Sequence, residues 1–230
     1  MGVPEIILDF FFPKRCLGCG RVGAFICEVC EEKVPFLEDQ YCGVCGHLSV
    51  GGFTHERCRT TLTPERLICL FRYKDLGKKI VASFKYEKVL SLLPSLASYI
   101  DEFLYDYGID LGTKVLVTFV PIHPIKFLER GFNQSEIIAR KLSRQKGLSM
   151  LPLLEKIKET PSQTKLKRRE RKENIAGSFC LNSKYEGDLV GRDVLLIDDV
   201  FTTGATLLEC AKVLKKGGAR FIYLLTLAKD

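Results

Sequence analysis

Residues 194–206, Val-Leu-Leu-Ile-Asp-Asp-Val-Phe-Thr-Thr-Gly-Ala-Thr, constrain this chain more than any other stretch. Four apolar residues run into two adjacent carboxylates. A short turn of threonines and one glycine follows, and an apolar-periodic helix starts at about Leu207. The run 194–197 is too short for a helix, and its unbroken apolar character predicts a strand buried on both faces. Such strands end at the carboxyl edge of a parallel sheet, where α/β folds bind ligands. Gly204 lets the backbone approach a ligand closely, and the hydroxyls of Thr202, Thr203 and Thr206 are small donors. The first N–H groups of the following helix, from Ala205 on, have no partner within it and favour an anion. Asp198 and Asp199 are a poor choice beside a phosphate unless they grip something else, such as vicinal sugar hydroxyls or a Mg²⁺ bridging to them. Phosphate, diol and metal together describe a phosphorylated ribose. A lone Asp-Asp or Thr-x-x-Gly would warrant only a capped strand–turn–helix, but the full string is far more specific.

This string resembles the 5-phosphoribosyl-1-pyrophosphate (PRPP) signature of type I phosphoribosyltransferases. The resemblance implies that Asp198 and Asp199 contact the ribose hydroxyls, and that Thr202, Thr203, Gly204, Ala205 and Thr206 hold the 5′-phosphate. No residue stands out as a general base, so the catalytic residues are left unassigned.

The first third of the chain carries an internal repeat. Its first copy is Cys16-x-x-Cys19-Gly, then Cys27-x-x-Cys30, and its second is Cys42-x-x-Cys45-Gly, then His55-x-x-Cys58. Each opens with a knuckle whose glycine permits a tight turn around a metal. The eight residues predict two sulfur-rich tetrahedral sites, one Cys₄ and one Cys₃His, and zinc is the metal that suits them. Spacing alone leaves a cross-braced pairing open, and leaves His47 as a competitor of His55. A module this short buries little apolar surface, whereas a zinc site supplies roughly 10–16 kcal/mol of apparent binding free energy to such folds. With no ligand position open to water, both sites read as structural.

The 230 residues can hold one ordinary domain and a small module, and a net charge of +7 suits an anionic partner. Cys-x-x-Cys spacing argues for metal rather than a disulfide framework. Residues 1–13 read as a short apolar arm, residues 14–62 as a double zinc ribbon, and residues 67–230 as an α/β domain. The apolar run 6–12 is too short to span a bilayer, lacks a basic flank and stops at Pro13. No signal peptide or integral membrane segment is expected, and the location expected is cytoplasmic, with the inner face of the membrane as one place of action.

From Leu67 the pattern predicts a strand over 67–73, with Cys69 a buried bystander, and helices over 75–86 and 92–107. A buried strand over 114–120 follows, then a loop over 121–134, a helix capped by Asn133, and a final strand over 221–227. Alternating strands and helices predict a parallel-sheet α/β fold. Between them lies a basic run, Gln163 to Asn174, with Lys165, Lys167, Arg168, Arg169, Arg171 and Lys172 against two glutamates. The ordinary reading is a solvated helix face, and the functional one a lid over pyrophosphate or a track for a nucleic-acid backbone. No aromatic residue interrupts it, so base stacking must come from elsewhere. Arg130 joins Arg168, Arg169 and Arg171 as a candidate for pyrophosphate or DNA phosphates.

The double ribbon, Arg130-Gly-Phe-Asn-Gln134, the block Gln163…Arg171…Asn174…Gly177-Ser-Phe179 and the Asp-Asp-Val-x-Thr-Thr-Gly string occur in one order. That order resembles the ComF family (competence protein F, ComFC-like) over nearly the whole chain. The resemblance implies a type I phosphoribosyltransferase-like domain behind a double zinc ribbon. It also implies a part in moving incoming single-stranded DNA during natural transformation, beside a helicase-like competence ATPase. Zinc, Mg²⁺ and PRPP or a nucleotide are the bound species expected. His55 stands where the family often has cysteine. Two other readings follow from the same residues: a working phosphoribosyltransferase of nucleotide metabolism, and a PRPP-sensing regulatory module.

Overall fold

A computed structural model of the protein describes residues 13–86, 92–108, 114–160 and 173–230. The apolar arm, apart from Pro13, lies outside the described residues, as do Arg168, Arg169, Arg171 and the rest of the basic run up to residue 172.

Five strands form one parallel sheet in the order β1-β7-β6-β2-β3. They are β1 (Arg66–Arg72), β2 (Leu116–Phe119), β3 (Ser149–Met150), β6 (Val194–Phe201) and β7 (Ile222–Lys229). A separate antiparallel pair, β4 (Leu154–Lys156) with β5 (Phe179–Leu181), brackets the basic run in the sequence. Helices among the described residues include α1 (Glu28–Glu31), α2 (Asp75–Tyr86), α3 (Leu93–Asp106), α4 (Pro124–Arg130), α5 (Gln134–Lys146), α6 (Glu186–Leu189) and α7 (Ala205–Lys216).

Both faces of the sheet are covered, which is why its central strands are apolar without alternation. On one face Leu195, Ile197, Leu225 and Leu227 pack with Ile80 and Phe84 of α2, Leu96 and Ile100 of α3, and Ile138 and Leu142 of α5. On the other, Val194, Leu196, Ile222 and Leu224 pack with Leu207, Cys210 and Leu214 of α7 and with Leu154 and Phe179 of the hairpin. Cys69 is fully buried and accepts a hydrogen bond from the Thr226 hydroxyl at 3.1 Å, and burial pushes its thiol up to about 12. It takes no part in the metal clusters.

The cysteine-rich segment is built onto the open edge of β1. Phe36 bridges Phe71 and Phe53 bridges Arg66. The Gln40 side chain donates to the Cys69 carbonyl and accepts from its amide, at 3.0 and 2.9 Å, completing the edge as a neighbouring strand would. Cys16 and Cys30 sit in the core beneath α2 and α3, and the Tyr99 hydroxyl donates to Glu31 at 2.7 Å.

The structure corrects three expectations. The strand expected to stop at Ile197 continues to Phe201, because β7 goes on pairing with it: Asp198 faces Thr226 and Phe201 faces Lys229. The expected loop over 121–134 contains α4, which has proline at its start and no buried residue, and so shows no apolar period. Helix α7 starts at Ala205, directly after Gly204 in the left-handed region (φ 75°), two residues before the apolar period becomes visible.

Candidate functional site

Two clusters of metal-ligating atoms form, and they follow chain order. Cys16, Cys19, Cys27 and Cys30 make one, and Cys42, Cys45, His55 and Cys58 the other, the donor atoms of each lying within 4.8 Å of one another. Pairing is therefore consecutive rather than cross-braced. His55 is the nitrogen donor: its Nδ1 lies 3.3 Å from Cys45 Sγ, while Nε2 lies 3.0 Å from the Leu48 carbonyl. Since a carbonyl only accepts, Nε2 carries the proton and Nδ1 keeps its lone pair for a metal, the usual outer-sphere arrangement of a ligand histidine. His47 instead contributes its backbone carbonyl, which accepts from the Cys42 amide. Four soft donors at this separation fit zinc. Gly18, between Cys16 and Cys19, has a steric reason, since a Cβ there would lie 2.6 Å from Cys30 Sγ.

The paired acids stand where the sheet opens. β6 pairs with β2 from Val194 to Ile197 and with β7 as far as Phe201. At Asp198 the β2 side is left behind, and β2 leads to β3 on one flank while β6 leads to β7 on the other. This is the switch point at which α/β sheets form a crevice. The loop after β2 folds back over it. Asn133 donates to the Val120 carbonyl at 2.9 Å and accepts from the Ser135 amide, capping α5. Ser135, buried in the first turn of α5, donates to Asp198 Oδ1 at 3.0 Å, and the Asp199 amide donates to the same oxygen at 2.9 Å. Two donors on one carboxylate oxygen fix its plane.

Beyond the acids, Thr202 and Thr203 lead into Gly204, and the buried Gly204 and Ala205 start α7. The Thr203 hydroxyl lies 3.5 Å from the Ala205 amide. Thr206 is half-buried in the first helical turn, whose amides lack intrahelical partners.

Sequence reasoning missed two lysines. Lys126 of α4 and Lys156 of β4 converge on Thr160, donating to its carbonyl (3.2 Å) and its hydroxyl (3.0 Å). Burial depresses the Lys156 pKa and the neighbouring Lys126 depresses it further, while Asp198 and Cys210 pull it back up. Two cations held on one residue, one of them in the field of Asp198, gather positive charge of the kind a polyanion would meet. Neither lysine belongs to a motif, so only the fold reveals them. Arg130 donates to Oε1 of Gln134, the residue before the serine that holds Asp198, at 2.8 Å. Gly131 ends α4 in the left-handed region (φ 82°) and Asn133 starts α5, so much of Arg130-Gly-Phe-Asn-Gln134 is helix punctuation.

A model of the double zinc ribbon domain matches residues 7–69, and one of the phosphoribosyl transferase domain matches residues 128–230. Fold and site together define a phosphoribosyltransferase-type α/β protein with an N-terminal cysteine-rich zinc ribbon. The chain is 26% identical over 232 residues to Competence protein F of Haemophilus influenzae, covering 95% of this chain and 98% of that protein. It is 28% identical over 215 residues to Competence protein ComFC of Bacillus subtilis, covering 89% and 84%. It is 27% identical over 216 residues to DNA utilization protein YhgH of Escherichia coli K12, covering 89% and 90%. The chain belongs to the ComF family. A solved structure, TT1426 from Thermus thermophilus, aligns with 57% of this chain and 71% of that one at TM-score 0.33 and 16% identity, a likeness that carries no functional inference. No helix among the described residues is long and apolar enough to cross a membrane.

Proposed function

We propose that this protein handles incoming single-stranded DNA in natural transformation, and that the crevice at Asp198 binds PRPP or a nucleotide as part of that work. The observation that supports the reading is the pairing of Lys126 and Lys156 on Thr160, with Lys156 in the field of the Ser135-bound Asp198 that precedes the turn 202–206, in a chain whose relatives bear competence and DNA utilization names. In this reading residues 67–230 carry the ligand site and residues 14–62 are its zinc-bound scaffold.

Asp198 and Asp199 accept from the ribose hydroxyls, and a Mg²⁺ bound with the ligand would neutralise its phosphates there. The turn 202–206 and the first amides of α7 seat the terminal phosphate. Lys126 and Lys156 meet the second anion, either pyrophosphate or a strand phosphate. Arg168, Arg169 and Arg171, which follow Thr160 in the sequence, are the candidates for further phosphates of a DNA backbone. Phe127, 44% exposed on α4 beside Lys126, supplies the aromatic face that the basic run lacks. The working place in this reading is the inner face of the membrane, beside a helicase-like ATPase.

The test is calorimetry with PRPP and Mg²⁺, followed in the same sample by a pyrophosphate assay over a panel of bases. PRPP binding without base-dependent release, and salt-sensitive single-strand binding that weakens when Arg168, Arg169 and Arg171 become alanine, are expected. The lysine pair also favours a second reading, because an enzyme displacing pyrophosphate needs cations where charge develops. Base-dependent release abolished by Asp198→Asn with Asp199→Asn would establish that reading instead.

A further inference from the structure

The turn 203–206 rests on the second metal knuckle. A Cβ on Gly204 would lie 2.8 Å from the Phe201 ring on one side and 3.1 Å from the Gly43 carbonyl oxygen on the other. The turn is thus wedged between its own strand and the backbone between Cys42 and Cys45. Gly43 is itself seated on the sheet, since a Cβ there would lie 3.4 Å from Leu67 Cβ and 3.5 Å from Leu224 Cδ1. Val44, Leu62 and Thr63 line a 270 Å³ cleft together with Ala205 and Leu208 of α7. Nearby, Tyr41 lies under Lys229 Nζ at 4.1 Å, at the end of the strand that pairs with Phe201. The first cluster has no such relation to the turn. Its Cys16 and Cys30 are packed on the opposite face of the sheet, beneath α2 and α3.

We infer that Gly43 and Val44 are positioning residues for the phosphate-binding turn, so that metal at the Cys42–Cys45–His55–Cys58 site and anion at the turn stabilise one another. This rests on the reading of the turn 202–206 as a phosphate seat. The knuckle is held in shape by its own bonds, Cys42 N–H to the His47 carbonyl and Gly46 N–H to the Cys42 carbonyl, both 2.8 Å, and a metal at the cluster would tie Cys42 and Cys45 to His55 and Cys58. Without that metal the knuckle can shift, and the Gly43 carbonyl with it. The α7 amides then lose the wall that aims them. Coupling between two binding events is reciprocal, so the anion must also tighten the metal.

Two measurements on the full-length, zinc-loaded protein test this. In the first, a chelator strips zinc with and without PRPP and Mg²⁺. The second-site zinc should leave about tenfold more slowly with ligand present, a coupling within the usual range, and the first-site zinc should leave at an unchanged rate. Equal protection of both sites, or of neither in a protein that binds PRPP, overturns the inference. The second measurement needs no ligand. Amide hydrogen exchange over residues 203–208 should accelerate in Cys58→Ser, which opens the second site from a ligand distant in sequence from the knuckle, and not in Cys19→Ser, which opens the first. If wild type binds no PRPP while exchange still accelerates only in Cys58→Ser, the ligand reading fails and the buttress stands. Unchanged exchange in Cys58→Ser removes the buttress whatever the ligand proves to be.

Discussion

Ser135 and Asp198 are joined by a 3.0 Å hydrogen bond from the serine hydroxyl to Oδ1, across 63 residues of chain. The serine is the second residue of α5 and the aspartate lies at the first position of β6 beyond its pairing with β2. The bond locks the helix start to the strand end and leaves the aspartate plane no freedom to follow a mobile ligand. A preorganised acid of this kind loses little entropy when a diol arrives.

Ser135→Ala should therefore weaken PRPP–Mg²⁺ binding about 3- to 10-fold and lower stability by about 1 kcal/mol, the net worth of a hydrogen bond. Asp198→Asn behaves differently. Its side-chain oxygen still accepts from Ser135 and from the Asp199 amide, so the melting temperature should stay within about 2 °C of wild type while binding is lost. Calorimetry and thermal unfolding on the same preparations separate the two. Retained PRPP binding in Asp198→Asn would contradict the assignment.

Affinity for pyrophosphate should fall at high pH, with Lys156 as the group responsible. Burial and Lys126 lower its pKa from the ordinary 10.5. An anion favours the charged form, so affinity is full below the depressed pKa and declines as pH rises through it, before 10.5 is reached. The unliganded fold shows the opposite sign. Its unfolded chain holds the proton more tightly, so the Lys156 contribution to stability rises over the same interval. In Lys156→Arg the charge persists throughout, and the early decline in affinity should vanish from a titration between about pH 7 and 10.5.

Glycine at 52 should prove far less replaceable than glycine at 20. Both have positive φ, 79° and 78°, but a Cβ at Gly52 would fall 1.9 Å from the Leu67 carbonyl oxygen, whereas one at Gly20 meets nothing within 4 Å. Gly20→Ala should cost about 1 kcal/mol for the left-handed backbone alone. Gly52→Ala also pushes the ribbon off the β1 edge and should cost more than about 3 kcal/mol. Urea unfolding of the two variants gives the comparison directly.

Single-strand binding should separate into charge and stacking parts on α4. Lys126→Ala is expected to weaken binding and reduce its salt dependence by about one counterion. Phe127→Ala is expected to lose about 1–3 kcal/mol with the salt slope unchanged, because stacking releases no counterions. Fluorescence anisotropy with a labelled oligonucleotide across a salt series distinguishes them. An unaffected Phe127→Ala would move the stacking surface elsewhere.

Much of this protein was legible from contiguous residues. A buried strand, two acids and a threonine-glycine turn announce themselves within 13 positions, 194–206. Asn133 as a cap and the four x-x-spaced ligand pairs are equally local signals, because capping and knuckle geometry are decided within a turn of chain. Helix α2 was legible to the residue, from Asp75 to Tyr86. By contrast, α4 escaped because a helix with no buried face has no period to read.

What only the tertiary structure decided is which local pieces meet. Consecutive rather than cross-braced metal pairing, and His55 over His47, depend on how each loop closes in space. The convergence of Lys126 and Lys156 on Thr160, the Ser135–Asp198 bond and the wedge of Gly43 against Gly204 all join residues that no local pattern links. The physical reason is one of range. Backbone sterics, hydrophobic periodicity and capping act over a few residues and so leave a trace in the string, whereas packing and polar contacts across a sheet act between whichever residues the topology brings together.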